Sequence, residues 1–135
     1  MHIQFLRTAA ASLLAALLVA GVAFAADVPA PASSSKWHVA FSGQATANGQ
    51  MVFRVTPHEG EVVMVTVKIN HGRGPLFIAK DVAEAFKAQL PKKRIKSEIV
   101  SGDLVLVKTA PGESAFTLEL ADSTVEGARV HITAD

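Results

Sequence analysis

Four of the five histidines lie outside the first 25 residues, and histidine is well suited to bind a metal or transfer a proton near neutral pH. His38 and His131 fall on the outward faces of two predicted strands, near opposite ends of the chain. His58 stands beside Glu59 and Glu61 in a predicted turn. None of them has the HxH or HxxxH spacing that places two histidines on one metal. The sequence therefore predicts exposed histidines and assigns no metal site and no cofactor.

The most suggestive loop is His71-Gly72-Arg73-Gly74, which precedes a predicted helix. Its glycines let the backbone approach a ligand, the guanidinium offers a fork of donors, and a helix N-terminus adds free N–H groups. This combination suits a carboxylate or a phosphate. The GxxxxGK[ST] and GxGxxG patterns are both missing, so a plain strand-to-helix turn is the favoured alternative.

A run of positive charge follows the predicted helix, at Lys92, Lys93, Arg94 and Lys96. It is a candidate dock for phospholipid head groups, lipopolysaccharide, nucleic acid or an acidic partner. The alternative is a helix-end cap and solubility face, because four charges confer little affinity at physiological salt. Outside the first 25 residues the chain holds twelve basic and twelve acidic residues. This balance gives no strong case for nucleic acid.

The sequence assigns no catalytic residue. Cysteine is absent, which excludes disulfides, thiol catalysis and thiolate metal sites. There is no GxSxG elbow and no pair of carboxylates in register for glycoside hydrolysis. Tyrosine is also absent and Trp37 is the single tryptophan, which disfavours aromatic stacking platforms.

The first 25 residues predict a bacterial export signal. A short head ending at Arg7 precedes the apolar stretch Ala9–Leu18, and Ala23-Phe24-Ala25 has the small-x-small form of a cleavage site. An uncleaved membrane anchor is the alternative. Residues 26–36 form a Pro/Ala/Ser-rich tract that predicts a flexible leader. We therefore expect a periplasmic or secreted protein with one domain over residues 37–135.

One segment, Pro75–Leu90, has the spacing of an amphipathic helix. Apolar side chains recur every three or four residues, and Pro75 suits the first helical turn. The residues expected on its apolar face are Ala79, Val82, Ala83, Phe86 and Leu90.

The other runs alternate apolar and polar residues with the period of two that is typical of half-buried strands. Asn48-Gly49 predicts a tight turn joining the first two strands, and a third strand would complete an antiparallel meander. Ser101-Gly102-Asp103 predicts a hairpin between the fourth and fifth strands. The predicted strands are Trp37–Ser42, Gln50–Thr56, Glu61–Asn70, Ile95–Val100, Asp103–Thr109, Ser114–Ala121 and Ala128–Thr133.

These elements predict a small α+β domain of order β-β-β-α-β-β-β-β, with one antiparallel sheet and the helix packed on one face. The expected core is Trp37, Val39, Phe41, Phe53, Val55, Val65, Val67, Ile69, Val82, Phe86, Leu90, Leu104, Leu106, Phe116, Leu118, Val130 and Ile132.

Two classes of function remain open. The first is an exported, non-catalytic binding module whose partner is another exported or envelope protein, or an anionic surface contacted through Lys92–Lys96. It would act through the outer sheet face, an edge strand or the basic helix end. The second is a small exported hydrolase or metal-dependent enzyme with a site split between distant strands.

Overall fold

A computed structural model describes residues 32–135. The predicted export signal and the first six residues of the leader lie outside the described residues. Within 32–135, no helix combines the length and apolar character needed to cross a membrane. The elements are β1 (Lys36–Gly43), β2 (Gly49–Pro57), β3 (Val63–Ile69), α1 (Pro75–Gln89), β4 (Ile95–Ser101), β5 (Leu104–Thr109), β6 (Phe116–Ser123) and β7 (Ala128–Ala134).

The strands form two antiparallel sheets rather than the single sheet predicted. One sheet has the order β4-β5-β1-β7 and the other β3-β2-β6. The α+β class is confirmed, as are the β2–β3 and β4–β5 pairings. The chain crosses from one sheet to the other after β1, through α1, and again before and after β6, so the two sheets are built from interleaved parts of the chain.

The predicted hairpin between β1 and β2 is wrong, because β1 pairs with β5 and β7 instead. The left-handed backbone that a tight turn requires occurs at Gly43 (φ 78°), and Gly49 does not adopt it. The segment between them crosses to the other sheet. There Ala45 is buried, its N–H donates to the Arg73 carbonyl, and its own carbonyl accepts from Gly72.

The helix begins at the predicted residue, ends one residue before the predicted end, and has the apolar face that its spacing predicts. It runs from Pro75 to Gln89, and Leu90 ends it in an extended conformation. The predicted face is buried, at Ala79, Val82, Ala83, Phe86 and Leu90.

The packing of the helix differs from the prediction, which placed it on one face of a single sheet. The helix packs mainly against β3 and β4, which are edge strands of different sheets. Side chains tie it to both edges. The Gln89 amide donates to the Thr66 carbonyl (2.9 Å) and accepts from the Thr66 N–H (3.1 Å), while the Ser97 hydroxyl donates to the Ala83 carbonyl (3.0 Å). The helix therefore closes the gap between two sheets.

Replacing Gln89 with methionine is expected to speed hydrogen exchange of the Thr66 amide and to lower the free energy of unfolding by about 1 kcal/mol. The amide of Gln89 satisfies both backbone groups of an edge-strand residue, and a hydrogen bond contributes about 0.5–1.5 kcal/mol net. Amide exchange followed by NMR measures the effect. Lys80→Met on the same helix is the control, and equal Thr66 protection in both variants would contradict the edge-sealing role.

The core lies between the two sheets and under the helix. The ring of Phe86 meets the ring of Phe53 edge-on, with centroids 5.1 Å apart. The phase predicted for β5 is wrong: Val105 and Val107 are fully buried, while Leu104 and Leu106 are half-buried on the other face. Both faces of this strand carry apolar residues, so alternation alone does not decide its orientation. Two further residues predicted in the core are also only partly buried against it, namely Val130 and Ile132.

The folded region begins before Trp37. Ser34 exchanges two backbone hydrogen bonds with Phe116, each of 3.0 Å, and the indole N–H of Trp37 donates to the Phe116 carbonyl (3.0 Å). Lys36 is already the first residue of β1. The last residues of the predicted leader, from Ser34 onward, thus belong to the domain.

Candidate functional site

Three connections form a small cleft: the β2–β3 turn, the segment between α1 and β4, and the β5–β6 loop. Its cavity volume is about 230 Å³. We call it the end cleft. Its floor is apolar, and its rim carries most of the charge. The residues that define it here are Val63, Ile95 and Phe116 on the floor and His58, Glu59, Glu61, Arg94 and Glu113 on the rim.

Arg94 is held in the end cleft by contacts with both neighbouring loops. Its Nε lies 3.7 Å from the Glu113 carboxylate, and its Nη1 donates to the Glu59 carbonyl at 3.5 Å. The backbone is fixed as well, because the Ala110 N–H donates to the Arg94 carbonyl (2.7 Å). Arg94 thereby faces the cleft, and its charge is partly offset by Glu113.

A separate groove lies beside the last turn of the helix. It is lined by Lys87 from α1, Lys92 from the following loop and Lys96 from β4, together with Ile95 and Ser97. We call it the lysine groove. Lys87 and Lys96 also line an adjoining groove with Lys108, which is paired with Glu98 at 3.4 Å.

The structure therefore divides the predicted basic patch. Ile95 points into the core, so period-two alternation turns Lys96 outward on β4. Lys92 and Lys96 line the lysine groove, Arg94 lines the end cleft, and Lys93 is exposed and lines neither. Lys87 was missed from the sequence, although its place in the last helical turn brings it close to any residue that follows the helix.

No carboxylate in the described chain lies within 4 Å of the three groove ammonium groups, whereas Arg94 and Lys108 both have acidic partners. Lys87, Lys92 and Lys96 thus bring three unpaired charges to one groove, whereas Lys93, which also has no acidic partner within residues 32–135, lies outside it. Such a set can attract phosphate or carboxylate groups as point charges.

The loop His71–Gly74 directs most of its donors to the protein's own acceptors. The N–H of His71 donates to the Asn48 side chain (2.7 Å), and that of Gly72 donates to the Ala45 carbonyl (2.8 Å). Gly72 has φ 90°, and Gly74 is the helix N-cap. The loop anchors the crossover between β1 and β2.

The guanidinium of Arg73 is also engaged. It binds both carboxylate oxygens of Asp81, with Nε–Oδ2 3.1 Å and Nη2–Oδ1 2.7 Å, and it lies 4.8 Å from the centre of the Phe77 ring. The hydrogen bond with Asp81 raises the pKa of Arg73 above its usual value. An anion at this loop would compete with Asp81, so the anion-binding role of His71, Gly72, Arg73 and Gly74 stays a prediction.

The first and last strands are neighbours, which brings two of the histidines onto one face. His38 is opposite Thr133, and His131 is opposite Ala40, so the two rings lie diagonally on the outer face of the four-stranded sheet. Across residues 32–135, no three His, Asp or Glu side chains gather in a way that could hold a metal ion.

No protein-family model matches this sequence, and a search of the curated proteins returns no match.

Two surfaces thus combine shape with charge: the end cleft and the lysine groove. They share Ile95 as a wall and differ in electrostatic character, because acidic side chains predominate on the rim of the first and lysines line the second. Each can be altered without changing the charged residues of the other.

Proposed function

We propose that the protein is an exported, non-catalytic binding module that contacts phosphate-bearing lipid head groups through the lysine groove. The observation that carries this proposal is that Lys87, Lys92 and Lys96 come from three elements, line one groove and have no acidic partner in the described chain. Export rests on the predicted signal over residues 1–25.

The chemistry of the groove favours a dispersed anionic surface over a single tightly bound anion. Lysine ammonium groups act as flexible point charges and lack the planar fork that arginine offers to one phosphate. The three side chains are exposed and come from different elements, so each ammonium group can contact a different head group. Ile95 adds an apolar wall beside them.

The expected affinity is modest and depends on salt. A lysine close to an anionic membrane contributes about 1 kcal/mol, so three contribute about 3 kcal/mol, which is roughly a hundredfold in partitioning. Exposed charges are screened within about 10 Å at 0.1 M salt. The attachment is therefore reversible and weakens as ionic strength rises.

The alternative is a hydrolase or metal-dependent enzyme with a site split between distant strands. Such a site requires several proton-transferring or ligating groups in one place. His38 and His131 share a face, but the described residues supply no third His, Asp or Glu that completes a metal-binding group with them. The lysine groove is the better supported surface.

The triple variant Lys87→Glu, Lys92→Glu and Lys96→Glu is expected to reduce binding to phosphatidylglycerol vesicles by about a hundredfold or more at low salt. Co-sedimentation with vesicles over a salt series measures it, with phosphatidylcholine vesicles as the uncharged reference. The reason is the loss of three attractive charges and the gain of three repulsive ones at the contact surface.

The matched control is Lys68→Glu, Lys80→Glu and Arg129→Glu, which changes the net charge equally at exposed positions outside the lysine groove. We expect it to retain most of the binding. Equal losses of vesicle binding in the two variants would assign binding to overall charge. The proposal would be overturned if the wild-type protein does not bind phosphatidylglycerol vesicles at low salt.

A further inference from the structure

The end cleft has the size of a site for one side chain. Its volume of about 230 Å³ is below the range of about 300–1,000 Å³ that is usual for small-molecule sites. A single extended side chain, or a free molecule of that size, fills such a space. The occupant is therefore small, or it is the projecting part of something larger.

The floor of the cleft suits an aliphatic stem. Phe116 and Ile95 are buried, with 1% and 7% of their surface exposed, and Val63 is partly buried beside them. Pro57 and Pro91 complete the apolar wall and bring no backbone N–H to be satisfied. Alkyl groups that cover this floor leave water and gain van der Waals contact.

The rim suits a cationic head. Three carboxylates line it, at Glu59, Glu61 and Glu113, against one guanidinium at Arg94. Glu113 is paired with Arg94 at 3.7 Å, whereas within residues 32–135 no basic side chain lies within 4 Å of Glu59 or Glu61. Two carboxylates thus remain uncompensated at the mouth of an apolar cavity.

We infer that the end cleft binds a primary ammonium or guanidinium group carried on an alkyl stem. The stem lies on Val63, Ile95 and Phe116, and the cation is placed between Glu59 and Glu61. This chemistry occurs in a lysine or arginine side chain of a partner protein and in a free alkylamine or diamine. The site is distinct from the lysine groove, so it does not depend on the proposed function.

The test is an NMR titration of the purified, isotope-labelled protein with four probes. Two probes carry both an alkyl stem and a cation. One is Nα-acetyl-lysine methylamide, which keeps its free ε-ammonium group and represents a lysine side chain within a polypeptide, and the other is cadaverine, a free diamine. N-acetyl-norleucine methylamide has the stem without the charge, and ethylammonium has the charge without a long stem. We expect shifts at Val63, Ile95 and Phe116 with at least one of the first two probes, and at least tenfold weaker binding of the last two.

The variant Glu59→Gln with Glu61→Gln is expected to weaken that binding by about tenfold, since exposed ion pairs each contribute modestly. Glu84→Gln with Glu126→Gln removes two exposed carboxylates elsewhere and is expected to leave binding unchanged. A preference for the lysine amide over cadaverine identifies a partner's side chain as the source, and the reverse identifies a free amine.

Three results would overturn the inference. They are no shift at the cleft residues with either stem-bearing cation, equal binding of the norleucine and lysine amides, and equal weakening by the two glutamine variants. Vesicle binding is measured separately on variants of Lys87, Lys92 and Lys96, so failure of one proposal is distinguishable from failure of the other.

Discussion

Replacing Phe86 with alanine is expected to lower the free energy of unfolding by about 3–5 kcal/mol. The side chain is 1% exposed, and its ring packs edge-on against Phe53. The substitution removes apolar surface from the core and leaves a cavity under α1, the helix that packs across the gap between the two sheets. The closely packed neighbours relax only partly into the space that the ring leaves. Urea denaturation followed by circular dichroism measures the change.

Lys80→Ala is the matched control for Phe86→Ala, because it truncates an exposed side chain on the same helix. It is expected to change stability by no more than about 0.5 kcal/mol. A loss under about 1 kcal/mol in Phe86→Ala would mean that the helix is peripheral to the core. Its burial between β3 and β4 would then contribute little to folding.

Replacing Gly43 with alanine is expected to cost about 2–5 kcal/mol. The residue has φ 78°, and a Cβ added there would lie 2.2 Å from the carbonyl oxygen of Gly127. Left-handed backbone costs a non-glycine residue about 1–2 kcal/mol, and overpacking against a neighbour adds about 1–3 kcal/mol. The obstacle is main chain at the start of β7, so a rotamer change cannot relieve it. Thermal and urea unfolding measure the loss.

Gly112→Ala separates the two contributions to that loss. Gly112 has φ 85°, but an added Cβ meets no atom within 4 Å. We expect a cost of only about 1–2 kcal/mol there, from the backbone conformation alone. Equal losses in Gly43→Ala and Gly112→Ala would show that the close approach between β1 and β7 imposes no constraint of its own.

The elements that are determined locally could be predicted from the sequence. The helix follows from apolar spacing of three and four residues and from Pro75 at its first turn. Most strands follow from alternation. Pairings between consecutive strands, β2 with β3 and β4 with β5, were also predictable. Pairings between distant strands were not, because alternation identifies a buried face and not the neighbour along the sheet. The pattern at β1 is equally compatible with pairing to β2 or to β5 and β7.

The candidate sites show the same division. The basic run could be recognised from its charge. Its division between the lysine groove and the end cleft could not, because that division depends on the inward orientation of Ile95 and on the approach of the β2–β3 turn to Arg94. Pairing of Arg73 with Asp81 joins the loop to the second turn of the helix. The end cleft has no linear signature, because its three walls come from separate connections.

The pairing of β1 also has a consequence for the order in which the chain can fold. Trp37 is opposite Ala134, and the Ser34 hydroxyl donates to the Asp135 carbonyl, 101 residues away. Such high contact order makes folding slow, because distant segments must meet before their contacts are gained. The N-terminal strand pairs with no strand next to it along the chain, and it acquires its two partners only when β5 and then β7 are present. If the predicted export signal is used, we expect this topology to slow folding until β5 and β7 have been delivered, which would favour an unfolded chain during translocation.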